Sequence, residues 1–223
     1  MTNTAKKRTA VLISGRGSNM QALVQAARQP DYPAEIALVI SNRPEAPGLA
    51  WAKEQGIPAV ALDHKRYESR EHFEGQLTSM LSLSKIDLIA LAGFLRLMTP
   101  AFVESWSGRM INIHPSLLPS FKGLHTHEQV LAAGVKITGC TVHFVSAEMD
   151  EGPIIAQSAV PVMPEDTASQ LAARVLISEH KIYPAALAAV ARGDVRLIAN
   201  KVEMQPVVNA AINQEFALFS PPL

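Results

Sequence analysis

The chain has 223 residues, of which 48% are hydrophobic, and its 20 Lys and Arg residues balance 20 Asp and Glu residues. A chain of this length buries roughly 70% of the surface of its unfolded form, so it needs no disulfide or metal to supply a core. Zero net charge argues against a polynucleotide partner, because nucleic-acid grooves need clustered Lys and Arg.

Cysteine content and hydropathy indicate where the protein works. Cys140 is the single cysteine, so no intrachain disulfide is possible. Residues 1–8 are polar and basic with no apolar segment behind them, and the apolar stretches 86–95 and 185–191 are shorter than the roughly 20 residues of a membrane span. We therefore expect a cytoplasmic protein with no membrane or nucleic-acid partner.

Strands and helices alternate along the first half of the chain. Short apolar runs predict strands, and helical spacing of apolar residues, an early proline or a hydroxyl cap predicts helices. The predicted strands are residues 9–14, 35–40, 59–62, 87–92 and 110–114. The predicted helices are residues 20–27, 47–55 and 69–83, with a fourth that begins at Pro100. This alternation predicts a parallel sheet.

The pattern changes after the fifth strand. Residues 115–124 carry prolines and a glycine and predict a loop, and Thr126 with Gln129 predicts a capping box that begins a short helix. Strands are predicted at residues 137–145 and 154–162. The turn between them is too short for a crossover helix, so we expect them to pair antiparallel.

The last predicted helix begins at a second capping box, formed by Thr167 and Gln170, and ends near Gly193. Together these elements predict a Rossmann-like α/β fold, with a mostly parallel twisted sheet, an antiparallel edge hairpin and helices on both faces. We expect one domain over residues 1–223, with a core at 7–200 and a peripheral C-terminal tail at 201–223.

Residues 15–19, Gly-Arg-Gly-Ser-Asn, stand where the first strand meets a helix. Glycines and free backbone N–H groups at a helix start can hold a phosphate. A dinucleotide fingerprint would need glycine in place of Met20 and an acid at residues 41–43, so a phosphomonoester fits better than NAD. A glycine turn that only tightens packing remains the alternative.

Asn112 and His114 end the fifth predicted strand two residues apart, so their side chains share one face. An amide donor beside an imidazole suits a developing oxyanion. Asp150, in the hairpin turn, would favour the charged imidazole if the turn borders the same cleft. Ordinary structural roles for all three residues remain open at this stage.

The same region also contains residues that are able to bind a metal or to act as a thiol nucleophile. Its possible metal-ligating side chains are His114, His125, His127, His143 and Asp150. Their spacing matches no common zinc signature, so we expect no metal, and His143 is interpreted as a packed residue or a hydrogen-bonding helper. A lone strand cysteine such as Cys140 usually fills space.

Several motifs, in this order, resemble the phosphoribosylglycinamide formyltransferases, the folate-dependent enzymes of purine synthesis. They are residues 11–19, 91–98, 112–119, 123–127, 142–145, 150–153 and 179–184. The resemblance covers nearly the whole chain and implies formyl transfer from 10-formyltetrahydrofolate, as co-substrate, to the amine of 5'-phosphoribosylglycinamide. It implies small-molecule substrates, no metal, and a monomer or homodimer.

The resemblance also implies a role for particular residues. The implied catalytic residues are Asn112, His114 and Asp150. The implied ribonucleotide-binding residues are Gly17, Ser18 and Asn19 for the phosphate and Glu179 for the ribose. The implied folate-binding residues are Leu95, Arg96, Leu97, Met98, Asn112, Thr141 and Asp150 around the pterin, with Arg70 at the glutamate tail. Arg16 and Glu151 depart from the family pattern, which more often has Asn and Gly there.

Three other functions remain open from the sequence. Formyltetrahydrofolate hydrolase and methionyl-tRNA formyltransferase share the Asn-x-His and Asp arrangement, so these residues indicate formyl chemistry without naming the acceptor. Those two families carry an added N-terminal or C-terminal domain, which we do not expect here. A nucleotide-binding sensor that kept the phosphate loop but has no turnover is the non-enzymatic alternative.

Overall fold

In the computed structural model, which describes residues 5–205, seven strands form one sheet and two more form a separate hairpin. The strands are β1 (Lys7–Ile13), β2 (Ala34–Ser41), β3 (Ala59–Ala61), β4 (Leu88–Leu91), β5 (Met110–His114), β6 (Ile137–Phe144), β7 (Ile154–Pro161), β8 (Val195–Ile198) and β9 (Lys201–Met204). The α-helices are α1 (Ser18–Ala27), α2 (Pro47–Glu54), α3 (Arg70–Leu83), α4 (Pro100–Ser105), α5 (Thr126–Ala133) and α6 (Ala168–Arg192).

The strand order is β3-β2-β1-β4-β5-β6-β7. The first five strands in this order are parallel, whereas β6 runs antiparallel to β5 and β7 runs antiparallel to β6. The predicted fold class, a mostly parallel sheet with an antiparallel edge, is confirmed. The antiparallel direction of β6 matters for function, because it brings β6 beside Asn112 and His114 at the end of β5.

Both faces of the sheet are buried, as the apolar strands predict. In β1, Val11 and Ile13 pack into a cluster with α1 and α6, while Ala10 and Leu12 pack into a cluster with α3 and α4. Successive side chains of a strand point to opposite faces, so one short apolar strand serves two cores. Because helices cover both faces, a ligand is expected to bind at the carboxyl ends of the parallel strands.

Of the three helix caps that the sequence predicts, the structure contains two and lacks one. Thr99 caps α4, and Thr167 with Gln170 forms the predicted capping box of α6. The capping box predicted for Thr126 and Gln129 is wrong. His125, with φ of 58°, occupies the cap position of α5 without a side-chain hydrogen bond, and the Gln129 amide donates instead to the Leu124 carbonyl.

The sequence did not predict the hairpin of β8 and β9. Leu197 and Val202 of this hairpin pack against the cluster that contains α6. The first residues of the expected tail are therefore strand, and residues 206–223 lie outside the described part of the chain. Within residues 5–205, no helix combines the length and hydropathy that crossing a bilayer requires.

Candidate active site

A cavity of about 720 Å³ opens at the carboxyl edge of the sheet, where β4 and β5 end. The loops that follow β4, β5 and β6 supply most of its wall. The implied site residues that line it are Asn19, Leu95, Arg96, Leu97, Met98, Asn112, His114, Asp150 and Glu179. One cavity thus brings together residues that are up to 160 positions apart in the sequence.

Asn112 is oriented by a histidine on the neighbouring strand. Asn112 and His143 are directly paired across β5 and β6, and Asn112 Nδ2 lies 3.2 Å from His143 Nε2. His143 Nδ1 lies 2.9 Å from the Phe144 carbonyl oxygen, which can only accept, so Nδ1 carries the proton and Nε2 accepts from Asn112. Burial lowers the pKa of His143, which keeps it neutral and able to accept.

The His114 ring is held in place by a hydrogen bond at Nε2. It is 5% exposed, and its Nε2 lies 2.9 Å from the Phe121 carbonyl oxygen in the loop after β5. Because that carbonyl needs an N–H donor, Nε2 is the protonated nitrogen of the neutral ring. The other ring nitrogen, Nδ1, lies 3.4 Å from Asp150 Oδ2.

Asp150 reaches the histidine from the turn between β6 and β7. Its backbone is in the left-handed region, with φ of 55°, which is uncommon for a residue with a side chain. Its Oδ2 accepts a 2.9 Å hydrogen bond from the Gly123 N–H, and its Oδ1 lies 4.0 Å from His143 Nε2. The three implied catalytic residues thus meet in one cavity, with His143 as a fourth member.

A second polar group lies at the α1 side of the cavity. Asn19 Nδ2 donates a 2.7 Å hydrogen bond to Glu179 Oε2, which joins α1 to α6. Burial raises the pKa of Glu179, and the bond from Asn19 partly opposes that rise. Gly17 precedes α1 in the left-handed region, with φ of 72°, and α1 has no side-chain cap and no acidic residue in its first turn. Its N–H groups therefore remain available to an anion.

The segment after β4 forms the apolar side of the cavity. Leu95 and Leu97 are more than half exposed, so an apolar surface remains open to a ligand. The Leu95 N–H donates to the Ser14 hydroxyl at 2.8 Å, which ties this segment to the end of β1. The Arg96 guanidinium lies 4.8 Å from the Phe73 ring centroid, in cation–π range.

Four of the implied binding residues are not part of the cavity wall. Gly17 and Ser18 lie at the start of α1, and Arg70 is exposed in the first turn of α3. Thr141 is fully buried, and its hydroxyl donates to the Ser116 carbonyl while accepting from the Leu118 N–H. The described geometry gives Thr141 a supporting role for the loop that follows His114.

Arg43 is a wall residue that the sequence analysis did not single out. It lies two residues beyond Ser41, the last residue of β2, which pairs with Ile13 at the end of β1. Arg43 lines the cavity with Asn19 and Glu179, whereas Arg16 is not in the wall. The signal was present in the sequence, as a cation just past the end of the second strand.

Metal and thiol chemistry receive no support from the described residues. Within residues 5–205, no three His, Cys, Asp or Glu side chains group in a way that would hold a metal ion. Cys140 is fully buried in β6, and burial raises the pKa of its thiol to about 12. A thiol of this kind stays protonated at neutral pH and acts as a packing group.

Comparison with known proteins agrees with this geometry. The model of the formyl transferase family matches residues 7–187, and the chain belongs to that family. It is 42% identical to phosphoribosylglycinamide formyltransferase of Escherichia coli over 190 residues, which is 85% of this chain and 90% of that protein. Glycinamide ribonucleotide transformylase 1 from Symbiobacterium toebii, a solved structure, is 44% identical with a TM-score of 0.86, covering 89% of this chain and 94% of that one.

A longer relative has the same unit within a larger protein. The chain is 51% identical to the human trifunctional purine biosynthetic protein adenosine-3 over 195 residues, which is 87% of this chain. That stretch is 19% of the human protein, so the chain spans about a fifth of its length.

Proposed function

We propose that the protein transfers the formyl group of 10-formyltetrahydrofolate to the amine of 5'-phosphoribosylglycinamide, a step of de novo purine (IMP) synthesis. The observation that carries the proposal is the meeting of Asn112, His114 and Asp150 in one cavity. A polar group for a ribonucleotide lies on one side of these residues and an apolar segment for a pterin on the other. The bacterial relatives named for this reaction support the proposal.

The ribonucleotide occupies the α1 side of the cavity. The buried Glu179 carboxylate accepts from ribose hydroxyls, and the N–H groups of Gly17, Ser18 and Asn19 meet the phosphate. Arg43 supplies the positive charge on this side, since Arg96, the other cation of the wall, is held over Phe73. Charge-assisted bonds of this kind are roughly twice as strong as neutral ones.

The folate occupies the apolar side, with its pterin against residues 95–98. Arg70 is exposed and meets the glutamate tail outside the cavity, which accounts for its absence from the wall. Asn112 and Asp150 border both ligands, so the formyl group and the amine are brought side by side. Holding the two groups in this orientation lowers the activation barrier of the transfer. In well-oriented intramolecular reactions the same effect lowers the barrier by about 7–11 kcal/mol.

The reaction proceeds by direct attack of the neutral amine on the formyl carbon. Free α-amino groups titrate at about 7.7, so a part of the amine is neutral and able to attack at neutral pH. The second N–H of the Asn112 amide and protonated Nδ1 of His114 stabilise the tetrahedral oxyanion. The negative charge of Asp150 stabilises the imidazolium form of His114, and through water Asp150 moves a proton from the attacking nitrogen to the folate nitrogen as the carbon–nitrogen bond to folate breaks.

An absorbance assay of folate release tests this function against its rivals. The protein is mixed with 10-formyltetrahydrofolate, with and without the ribonucleotide. Release that requires the ribonucleotide supports the transferase, release without it indicates a hydrolase, and binding without release indicates a sensor. The same assay with Asn112→Ala shows whether the release depends on the proposed site.

The proposal extends to the surroundings of the enzyme. We place it in the cytoplasm, with small molecules as its partners and a monomer or homodimer as its form. The balanced net charge supports small-molecule rather than tRNA substrates. Gel filtration at working concentration measures the oligomeric state directly.

A further inference from the structure

Two loops meet beside the catalytic residues, and their contact is polar. The first is the 115–124 loop after β5, and the second is the 145–153 loop between β6 and β7. Between them Lys122 Nζ lies 2.8 Å from Glu151 Oε1, and the next residue on each side forms the 2.9 Å bond from the Gly123 N–H to Asp150 Oδ2. The ion pair is therefore adjacent to the carboxylate that faces His114.

Little other packing joins the loops at this point. A second cavity, of about 200 Å³, lies between them and is lined by both Lys122 and Glu151. This cavity is an open surface depression, and across an opening of this kind the facing atoms of the two loops do not pack against each other. The polar bridges across the gap must then contribute a larger share of the contact.

The backbone of the second loop limits where such a bridge can form. A Cβ at Gly152 would lie 1.7 Å from the Phe144 carbonyl oxygen, so no side chain fits there. The Asp150 carboxylate already faces His114. The backbone of Asp150 is in the left-handed region, which is less stable than an extended conformation. Of the two residues that flank Asp150, Glu151 carries a charge and Met149 does not.

The first loop is equally close to the chemistry. Phe121, which precedes Lys122, provides the carbonyl that fixes Nε2 of His114. A bond between Lys122 and Glu151 therefore connects the support of His114 with the backbone of Asp150. Movement of either loop would change the 3.4 Å distance between His114 Nδ1 and Asp150 Oδ2.

We propose that Lys122 and Glu151 are positioning residues, whose ion pair holds the 145–153 loop closed on the 115–124 loop and so keeps Asp150 at His114. The proposal rests on the formyl-transfer function proposed above. It gives a physical role to Glu151, one of the two departures from the family pattern. Because both side chains are partly exposed, at 34% and 53%, the pair is weak and salt-sensitive.

Kinetics of single, double and exchanged variants test the proposal. Lys122→Ala and Glu151→Ala are each expected to lower kcat/KM about two- to fivefold, the range of exposed ion pairs. The double variant should be no slower than either single variant, and the exchanged pair, Lys122→Glu with Glu151→Lys, should recover most of the loss. Raising the salt concentration should slow the wild type towards the variants and affect the variants less.

A background without the Asp150 charge separates positioning from general support of the fold. In Asp150→Asn, the further change Lys122→Ala is expected to have no effect on the residual rate, because there is no carboxylate left to position. Arg192→Ala is the matched control, since it breaks a similarly exposed ion pair, with Asp194, at the end of α6. It should leave kcat/KM unchanged.

The outcomes distinguish this proposal from the proposed function. Wild-type rates in both Lys122→Ala and Glu151→Ala would overturn the positioning role while leaving the transferase intact. Additive losses in the double variant, or an undiminished effect in Asp150→Asn, would also overturn it. A wild type that does not formylate the ribonucleotide would instead overturn the function itself.

Discussion

The imidazole Nδ1 of His114, at the end of β5, lies 3.4 Å from Oδ2 of Asp150, in the turn between β6 and β7, although the two residues are 36 positions apart. This distance is longer than an ordinary N–H to oxygen hydrogen bond. Asp150 therefore acts on the charged ring mainly through its negative charge, and the Nδ1–H can be shared with a substrate oxygen.

Asn112→Ala is expected to lower kcat by at least about 10²- to 10³-fold, the usual cost of losing an oxyanion donor. Asp150→Asn is expected to lower it by at least as much, because the charge beside His114 and the group that moves the proton are both lost. Both variants should still bind the two substrates, because most of the proposed ribonucleotide and pterin contacts are made by other residues, such as Glu179 and residues 95–98. Single-turnover rates and ligand titrations measure the two properties separately. Near-normal turnover in either variant would show that its assigned role is wrong.

Arg43→Ala is expected to raise KM for the ribonucleotide about tenfold or more, with kcat and the folate KM little changed. The reason is that a hydrogen bond to a charged group contributes about 1.5–3 kcal/mol. Lys53→Ala, at the far end of α2, removes the same charge away from the cavity and is the control. With glycinamide riboside, which lacks the phosphate, wild type and Arg43→Ala should have equal KM values; a rise there would contradict the phosphate contact.

Local sequence signals predicted most of the helices and strands, whereas their arrangement depends on contacts between distant residues. Thr99 with Pro100, and Thr167 with Gln170, mark helix starts by chemistry that involves only a few neighbouring residues. The signal failed at Thr126, because the preceding loop brings His125 into the left-handed region and buries Thr126. A cap depends on the direction from which the chain enters the helix, and spacing alone does not contain that direction.

The site shows the same division. Asn112 and His114 were predictable as neighbours, because a strand places alternate side chains on one face. The approach of Asp150 depends on β6 pairing antiparallel with β5, and the sequence predicted only the pairing of β6 with β7. The support of Asn112 by His143 follows from that same unpredicted register. The family resemblance supplied the grouping that periodicity could not.

Acidification below neutral pH is expected to destabilise the protein. Burial lowers the pKa values of His127, His143 and His180 below 6.5. As the pH falls through about 6.5, the unfolded chain takes up protons at these positions and the folded chain does not, so the free energy of unfolding falls. Each proton contributes at most about 1.4 kcal/mol per pH unit, and the contribution is larger for the buried His143 than for the partly exposed His127 and His180.

Urea unfolding between pH 7.5 and about 5.5 measures this slope. His180→Gln should reduce it, because one of the three groups is removed. His125→Gln, which changes a largely exposed histidine, should leave it unchanged. A stability that does not vary over this range would contradict the burial of neutral histidines as the cause.

Two glycines of the chain are expected to respond oppositely to the same substitution. A Cβ at Gly139 in β6 would lie 1.9 Å from the Ser158 carbonyl oxygen of β7, so Gly139→Ala must push two paired strands apart. We expect a loss of about 1–3 kcal/mol or more in the free energy of unfolding. Gly75, within α3, has no atom within 4 Å of its Cβ position, so Gly75→Ala should gain about 0.5–1 kcal/mol. Thermal unfolding would show a gain of that size as a rise of roughly 1–4 °C for a domain of this length, and equal responses at the two sites would contradict the strand contact.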